Sequence, residues 1–321
     1  MPGHADPLVT IGITCFNARQ TLERAVRSAR RQDWPSIEII IVDDCSDDGS
    51  QEALSELIAG DLRARLIRHT ENLGVGAARN TIIAASCGEF IAFFDDDDES
   101  LPNRISAQVR ILREHEDRIG SRLVACYAGG ERIYDNGYRV DAPAIGTRGD
   151  IPHGPAVVDY LLAMRKQPGW FYGSGVPACA LLARRATFQE IKGFDPKQRR
   201  LEDADFAIRL ALSGGYFVGT PERLYIRHMT GGSDKSAQAV FDSQVYLAQK
   251  YSHYLRSIGL YRYALHWPRL RYWHFKRRYG RFGLQLLMLL VSNPIAVSRH
   301  LFETGPARLF HERKIRSTQR A

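Results

Sequence analysis

The sequence predicts an α/β protein: a doubly wound sheet flanked by helices, followed by a helical, basic C-terminal region. Three observations predict it. Short apolar, β-branched runs alternate with segments of helical period through the first hundred residues. One of those runs, Ile37 to Val42 (IEIIIV), is nearly all apolar, as a parallel strand covered on both faces must be. Two of the runs end in clusters of aspartate, at the strand ends where such sheets bind ligands.

Leu8 to Thr14 (LVTIGIT) reads as a short buried strand. Residues 18–32 follow with Leu22, Ala25, Val26 and Ala29 at helical spacing on one face. Ile37 to Val42 is the second strand and ends at Asp43-Asp44; Gln51 to Ala59 is helical. Ala64 to Arg68 is the third strand, and Gly74 and Gly76 open a helix over roughly Ala77 to Ser86. Glu89 to Phe94 is the fourth strand and runs into Asp95-Asp96-Asp97-Asp98. Between 120 and 180 the pattern is weaker. Tyr127 to Val140 reads as a hairpin about Asp135-Asn136-Gly137, because Asn-Gly suits the tight turn, and Gly169 to Gly175 is a loop. Asp203 to Ser213 is a helix, and beyond about residue 236 the pattern is helical, basic and aromatic. The expected organisation is 1–115 and 116–236 as two halves of one domain, and 237–321 as the basic region.

Composition narrows the class. Of 321 residues, 44% are apolar and 25% charged, which excludes a disordered chain, a collagen or a coiled-coil rod. The five cysteines are odd in number and form no C-x-x-C, so neither a disulfide framework nor a zinc site is indicated and a reducing, cytoplasmic setting fits. Met1 to Pro7 has no basic n-region and no long apolar h-region, so no signal peptide is expected. The densest apolar run, Leu284 to Val291, falls well short of the roughly 20 residues of a spanning helix. The charge is uneven: residues 251–321 hold 14 Lys and Arg against two acids, Glu303 and Glu312, while the rest of the chain is slightly acidic. That asymmetry gives the tail a separate task.

The run Asp95 to Asp98 is the strongest chemical signal. Adjacent carboxylates raise one another's pKa and call for a cation. Oxygen ligands in this number suit Mg²⁺ or Mn²⁺, and alternation along a strand end turns Asp95 and Asp97 the same way. Asp43-Asp44 could accept a nucleobase N–H or a ribose hydroxyl, or serve equally as turn or capping aspartates. Gly74-x-Gly76 with Arg79 is not a dinucleotide fingerprint, since it follows the third strand and has Arg79 in place of the last glycine. It is equally a plain helix start or a close approach to phosphate helped by Arg79. In Glu202-Asp203-x-Asp205 one acid could project as a general base, or all could serve the helix dipole. His228, in the loop Arg227 to Ser233, is a lone histidine, by itself more often structural or exposed than a ligand, and is a further candidate for the metal.

The order of these pieces carries more than any one of them. Thr14-x-Phe16-Asn17, Asp43-Asp44-x-Ser46, Gly74-x-Gly76-x-x-Arg79-Asn80, Asp95-Asp96-Asp97-Asp98-x-x-x-Pro102, Gly193-Phe194-Asp195 and Glu202-Asp203-x-Asp205-Phe206 follow in turn. From about Leu8 to Ser236 this resembles the family 2 glycosyltransferases of the GT-A fold. The resemblance implies a mixed, doubly wound sheet, a nucleotide-diphosphate sugar donor (UDP-linked), Mn²⁺ or Mg²⁺, and inversion at the sugar. Thr14 and Phe16 then border the nucleobase, with Phe16 stacking in place of the family's usual Tyr. Asp44 pairs with uracil, Arg79 lies near the nucleotide, and Asp95 faces the ribose or sugar. Asp96 stands where the family often has a small residue and joins the nucleotide side. Asp97 holds the metal with Asp95, and Asp203 is the catalytic base, so that 1–115 is the nucleotide-sugar-binding half and 116–236 the acceptor-binding and catalytic-base half.

Other classes fit less well. A nucleotidyltransferase would need a glycine-rich triphosphate loop after the first strand, and Thr14 to Arg19 has no glycine. A non-catalytic sugar-nucleotide binder would have lost the carboxylates or the base. A receiver domain is too short. The expected acceptor is a glycan or lipid-linked sugar. Next to such a domain, a tail mixing Arg and Lys with Tyr and Trp suits an anionic membrane surface on the cytoplasmic side better than nucleic acid.

Overall fold

The computed structural model describes residues 6–229 and 236–317. In chain order the elements are β1 (Val9–Cys15), α1 (Leu22–Arg30), β2 (Ile37–Asp43), α2 (Ser50–Leu57), β3 (Ala64–Arg68), α3 (Val75–Ala85), β4 (Phe90–Asp95), β5 (Glu99–Ser100) and α4 (Arg104–Ile119). Then come β6 (Val124–Ile133), β7 (Arg139–Ala142), α5 (Pro155–Ala163), β8 (Leu181–Arg184), α6 (Arg185–Glu190), α7 (Glu202–Leu212) and β9 (Tyr216–His228). The C-terminal helices are α8 (Ala237–Lys250), α9 (Ser252–Ser257), α10 (Tyr261–Phe275), α11 (Tyr279–Ser292) and α12 (Pro294–Ser317).

One mixed sheet runs in the order β3-β2-β1-β4-β8-β6-β9-β5, with β7 paired to β6. The first four strands are parallel, and β8 runs antiparallel to both β4 and β6. The winding reverses at β1, whose neighbours are β2 on one side and β4 on the other. A crevice opens at the carboxyl ends of strands where the order reverses in this way. Register places Thr14 of β1 beside Val42 of β2 and Asp95 of β4, so the two aspartate clusters flank the end of one strand.

The alternation of β2 explains its all-apolar sequence. Ile39 and Ile41 enter the core beneath α1, α2 and α4, whereas Ile40 and Val42 enter the core beneath α3, α6 and α7. Gly12 of β1 lets α3 approach: a Cβ there would lie 2.5 Å from a methyl of Ile82. The hairpin lies where Asn136-Gly137 predicts it. Gly137 has φ +76° and donates to the Tyr134 carbonyl at 2.8 Å. The residues between 140 and 200, which carry no clear period, supply α5, α6 and the internal strand β8. The single sheet crosses the boundary drawn at 115/116, which falls inside α4.

The C-terminal helices dock on the α5/α7 side. The Tyr254 hydroxyl donates to Asp159 at 2.7 Å, Gln198 donates to the Ser243 carbonyl at 3.0 Å, and Tyr251 donates to the fully buried Asp205 at 2.8 Å. Tyr263, Leu270, Leu289 and Val297 close a small core of their own with Ala163 of α5.

Candidate active site

The end of β1 is followed by Asn17 and the end of β2 by Cys45, both with positive φ (51° and 65°). A non-glycine residue in that region is uncommon and gathers at functional sites. The two loops are laced together: the Asn17 N–H donates to Ser46 Oγ at 2.9 Å and the Asp47 N–H to Asn17 Oδ1 at 3.0 Å. Asp43 is spent inside this turn, accepting from Ser46. Asp44 is the acid that looks across the crevice. Its carboxylate accepts from the Leu73 and Gly74 N–H groups at 2.9 and 2.7 Å and meets His69 Nδ1 at 2.7 Å. The other ring nitrogen of His69 meets Thr81 Oγ1 at 2.9 Å. Asp44 therefore orders the glycine loop before α3, and His69 orders Asp44. In the sequence His69 is marked only by its position one residue after β3.

Phe16 stands at the rim, 48% exposed, and its N–H donates to Asp96 Oδ2 at 3.0 Å. Thr14 is buried in the strand beneath it. Burial, with Asp97 and Asp95 adjacent, pushes the Asp96 carboxyl up to about 8. The acidic run is compensated in part by arginines. Arg24 donates to the Asp97 carbonyl, and Arg227 of β9 lies near enough to Asp95 and Asp98 to be stabilised as a cation by them. Arg79 is 3% exposed, beneath the crevice floor, and its two terminal nitrogens reach Asp95 Oδ1 at 3.1 Å and Glu202 Oε1 at 2.5 Å. Burial alone would lower the Arg79 pKa; Glu202 and Asp95 outweigh it and keep the guanidinium charged. Arg79 meets the crevice through these carboxylates.

Glu202 and Asp203 open α7 directly after Leu201, a leucine held at φ 65°. That turn aims both acids back toward the sheet. Burial and the neighbouring Glu202 push Asp203 up to about 7, against the opposing pull of Arg79. The Tyr127 hydroxyl of β6 is buried with no hydrogen-bond partner, and after burial itself Asp203 is the largest influence raising its pKa. Asn80 clamps the start of this region: it accepts from the Phe194 N–H at 2.7 Å and donates to the Phe194 carbonyl at 2.8 Å. Gly193, at φ +61°, is required beside it, since a Cβ would lie 2.3 Å from Asn80 Oδ1.

Among the described residues one cluster of three side chains could hold a divalent cation. Asp95, Asp98 and Cys179 bring ligand atoms within 4.8 Å of one another. Burial, then Asp95 and Asp98, push the Cys179 thiol well above its ordinary value, and a sulfur ligand suits a hard cation such as Mg²⁺ poorly. Among the described residues the expected set of Asp95, Asp97 and His228 does not close to this distance. His228 Nε2 is buried without a hydrogen-bond partner; burial and then Arg24 lower its pKa, against the opposing pull of Glu99 and Asp97. The loop beyond it, Thr230 to Ser233, lies outside the described residues.

Residues 10–170, half of the chain, match the family model described as Glycosyl transferase family 2. The chain belongs to this family. It is 30% identical over 255 residues to a Bacillus subtilis protein named as glycosyltransferase EpsH, covering 78% of this chain and 70% of that one. It is 28% identical over 227 residues to the succinoglycan biosynthesis protein ExoO of Rhizobium meliloti, covering 71% of this chain and 62% of that protein. A crystal structure of S. aureus TarS 1-349 in complex with UDP-GlcNAc superposes with a TM-score of 0.59 at 16% identity, over 90% of this chain and 82% of that one. The likeness fixes the fold as GT-A, with a helical C-terminal region.

Proposed function

We propose that this family 2 glycosyltransferase moves a sugar from a UDP-linked donor to a hydroxyl of a glycan or lipid-linked acceptor, with inversion. The observation that carries the reading is the buried line Asp95–Arg79–Glu202. It ties the carboxylate run of β4 to the helix start that presents Asp203. In the transfer, Asp203 takes the acceptor hydroxyl's proton as that oxygen bonds to the anomeric carbon. The bond from that carbon to the diphosphate breaks, its electron pair leaving with the nucleotide. A base held near pKa 7 suits this task at neutral pH. One displacement inverts the centre.

Asp44 and Phe16 border the nucleobase and Thr14 lines the floor between them, while Asp95 and Asp96 face the ribose and sugar. Arg79 positions Asp95 and Glu202 from below. Asp95 and Asp97, joined by His228 once their ligand atoms close together, are the residues that would hold Mn²⁺ or Mg²⁺, whose chemistry there is neutralisation of charge on the leaving diphosphate. The UDP-GlcNAc complex of TarS supports a UDP donor, and the succinoglycan assignment of ExoO supports a cell-surface polysaccharide product. The unpaired thiols and the basic tail support a cytoplasmic, peripheral membrane setting. Calorimetry of UDP binding with Mn²⁺ and with chelator tests the site. Binding that depends on Mn²⁺ and weakens in Asp97→Asn is expected; equal affinity under both conditions would remove the metal role, and no UDP binding at all would remove the donor assignment.

A further inference from the structure

In α11 the apolar residues point both ways. Leu286, Leu289 and Leu290 face inward onto Tyr263, Trp267 and Leu270. On the opposite side Leu284 (72% exposed), Leu287 (61%), Met288 and Val291 (77%) face outward. Their spacing of three and four makes one continuous stripe. A helix that only capped a domain would carry polar residues there, since a helix apolar all round is a buried helix. Ile295 and Phe302 of α12 are exposed as well. Something covers this face.

Charge selects the cover. The junction of α10 and α11 presents Lys276, Arg277, Arg278 and Arg281 at the surface beside Tyr279. Arg281 also lies over the Trp273 ring at 4.7 Å, which leaves an aromatic ring and a cation at the same level. Glu303, an acid in this region, is engaged at 3.1 Å by Lys166. A second copy of the chain meeting this face about a two-fold axis would set the same cations against each other. An anionic bilayer would meet both the cations and the apolar stripe. No helix among the described residues is long and apolar enough to cross a membrane. The 14 residues of α11 rise about 21 Å, short of the roughly 30 Å of a hydrocarbon core, so the helix lies in the interface plane.

We propose that the Leu284–Leu287–Met288–Val291 face of α11 beds into the headgroup layer of an anionic phospholipid membrane, held by Arg277, Arg278 and Arg281. This rests on the peripheral membrane reading above and names the surface that makes the contact. The test is sedimentation of the full chain with vesicles of phosphatidylglycerol and phosphatidylcholine, with phosphatidylcholine alone as control. The expected result is binding to the mixed vesicles that weakens as salt rises. A Leu284→Glu, Leu287→Glu, Val291→Glu variant should bind about tenfold less or weaker. An Arg277→Ser, Arg278→Ser, Arg281→Ser variant should lose about fivefold for each arginine removed. UDP affinity, measured on the same samples, should be unchanged in both, since neither set touches the crevice. Loss of UDP binding in the unaltered chain would count against the donor site and leave the surface assignment standing. Equal vesicle binding by the chain and the glutamate variant would overturn the surface assignment. So would a dimer, seen by analytical ultracentrifugation, that the glutamate variant abolishes while the unaltered chain ignores vesicles.

Discussion

At the carboxyl edge of the sheet Arg79 is buried between Asp95 and Glu202, whereas at the start of α11 Arg277, Arg278 and Arg281 stand exposed beside apolar side chains. The two regions use the same residue type to opposite ends. In the site the guanidinium is a fixed structural charge. Its geometry is set by two carboxylates and by the rings of Phe194 and Phe93, 5.3 and 5.8 Å away. On the outer helices the guanidinium is held by little and is free to meet a partner. Burial makes the difference: removing one member of a buried pair strands a charge in low dielectric, while an exposed cation is solvated either way.

The sharpest test of the sheet side is Asp203→Asn. Loss of a general base costs about 10²–10⁴-fold in turnover, and UDP affinity should stay nearly intact, so calorimetry and rate must separate. The pH behaviour follows from the same group. Its folded pKa of about 7 lies above that of an unfolded aspartate. kcat/KM should therefore rise with pH through about 7, as the base loses its proton. Stability should move the other way. The folded state keeps a proton that the unfolded state loses, so this carboxyl's contribution falls as pH rises from about 4 to about 7. Asp203→Asn should flatten that fall in thermal melts. A mutant as active as the parent would break the base assignment.

Next in size is Arg79→Met. It leaves Asp95 and Glu202 buried beside an apolar chain and should cost about 3–5 kcal/mol in denaturant unfolding. A cost below about 1 kcal/mol would mean that the arginine is not the tie between β4 and α7. The smallest effect is expected from Arg278→Ser on the outer helices, within about 0.5 kcal/mol of the parent, as for surface positions away from buried pairs. A large loss there would make the basic region a structural cap and erase the contrast.

Much of the sheet side is legible in the sequence because its periods are local. The runs 8–14, 37–42, 64–68 and 89–94 match β1 to β4 within a residue or so; β1, β2 and β4 are buried on both faces, and the edge strand β3 only partly. β8 was not legible. Its four residues, Leu181–Arg184, join the sheet centre only because β4 and β6 lie on either side. The same holds for β5, two residues long and paired with Tyr225 and Ile226 more than a hundred positions away. α4, despite sixteen residues, is not legible because Arg104, Gln108 and Glu116 interrupt its apolar face, all three buried by specific partners.

The sequence by itself determined the alternating α/β order, the two aspartate clusters at strand ends, the acidic start of α7 and the charge imbalance of the tail. Those features are written in neighbouring residues, where spacing and side-chain type suffice. Tertiary structure alone decided what each acid does. It turned Asp43 inward to hold Ser46 and left Asp44 to hold the glycine loop with His69. It placed Arg79 beneath Asp95, and it fastened Asp205 to Tyr251 and Lys250 while leaving Asp203 to the crevice. Adjacent aspartates look alike in sequence; Asp43 finds its partner three positions away, but the His69–Asp44, Tyr251–Asp205 and Arg79–Glu202 contacts span 25, 46 and 123 positions, and only folding brings those groups within hydrogen-bonding reach.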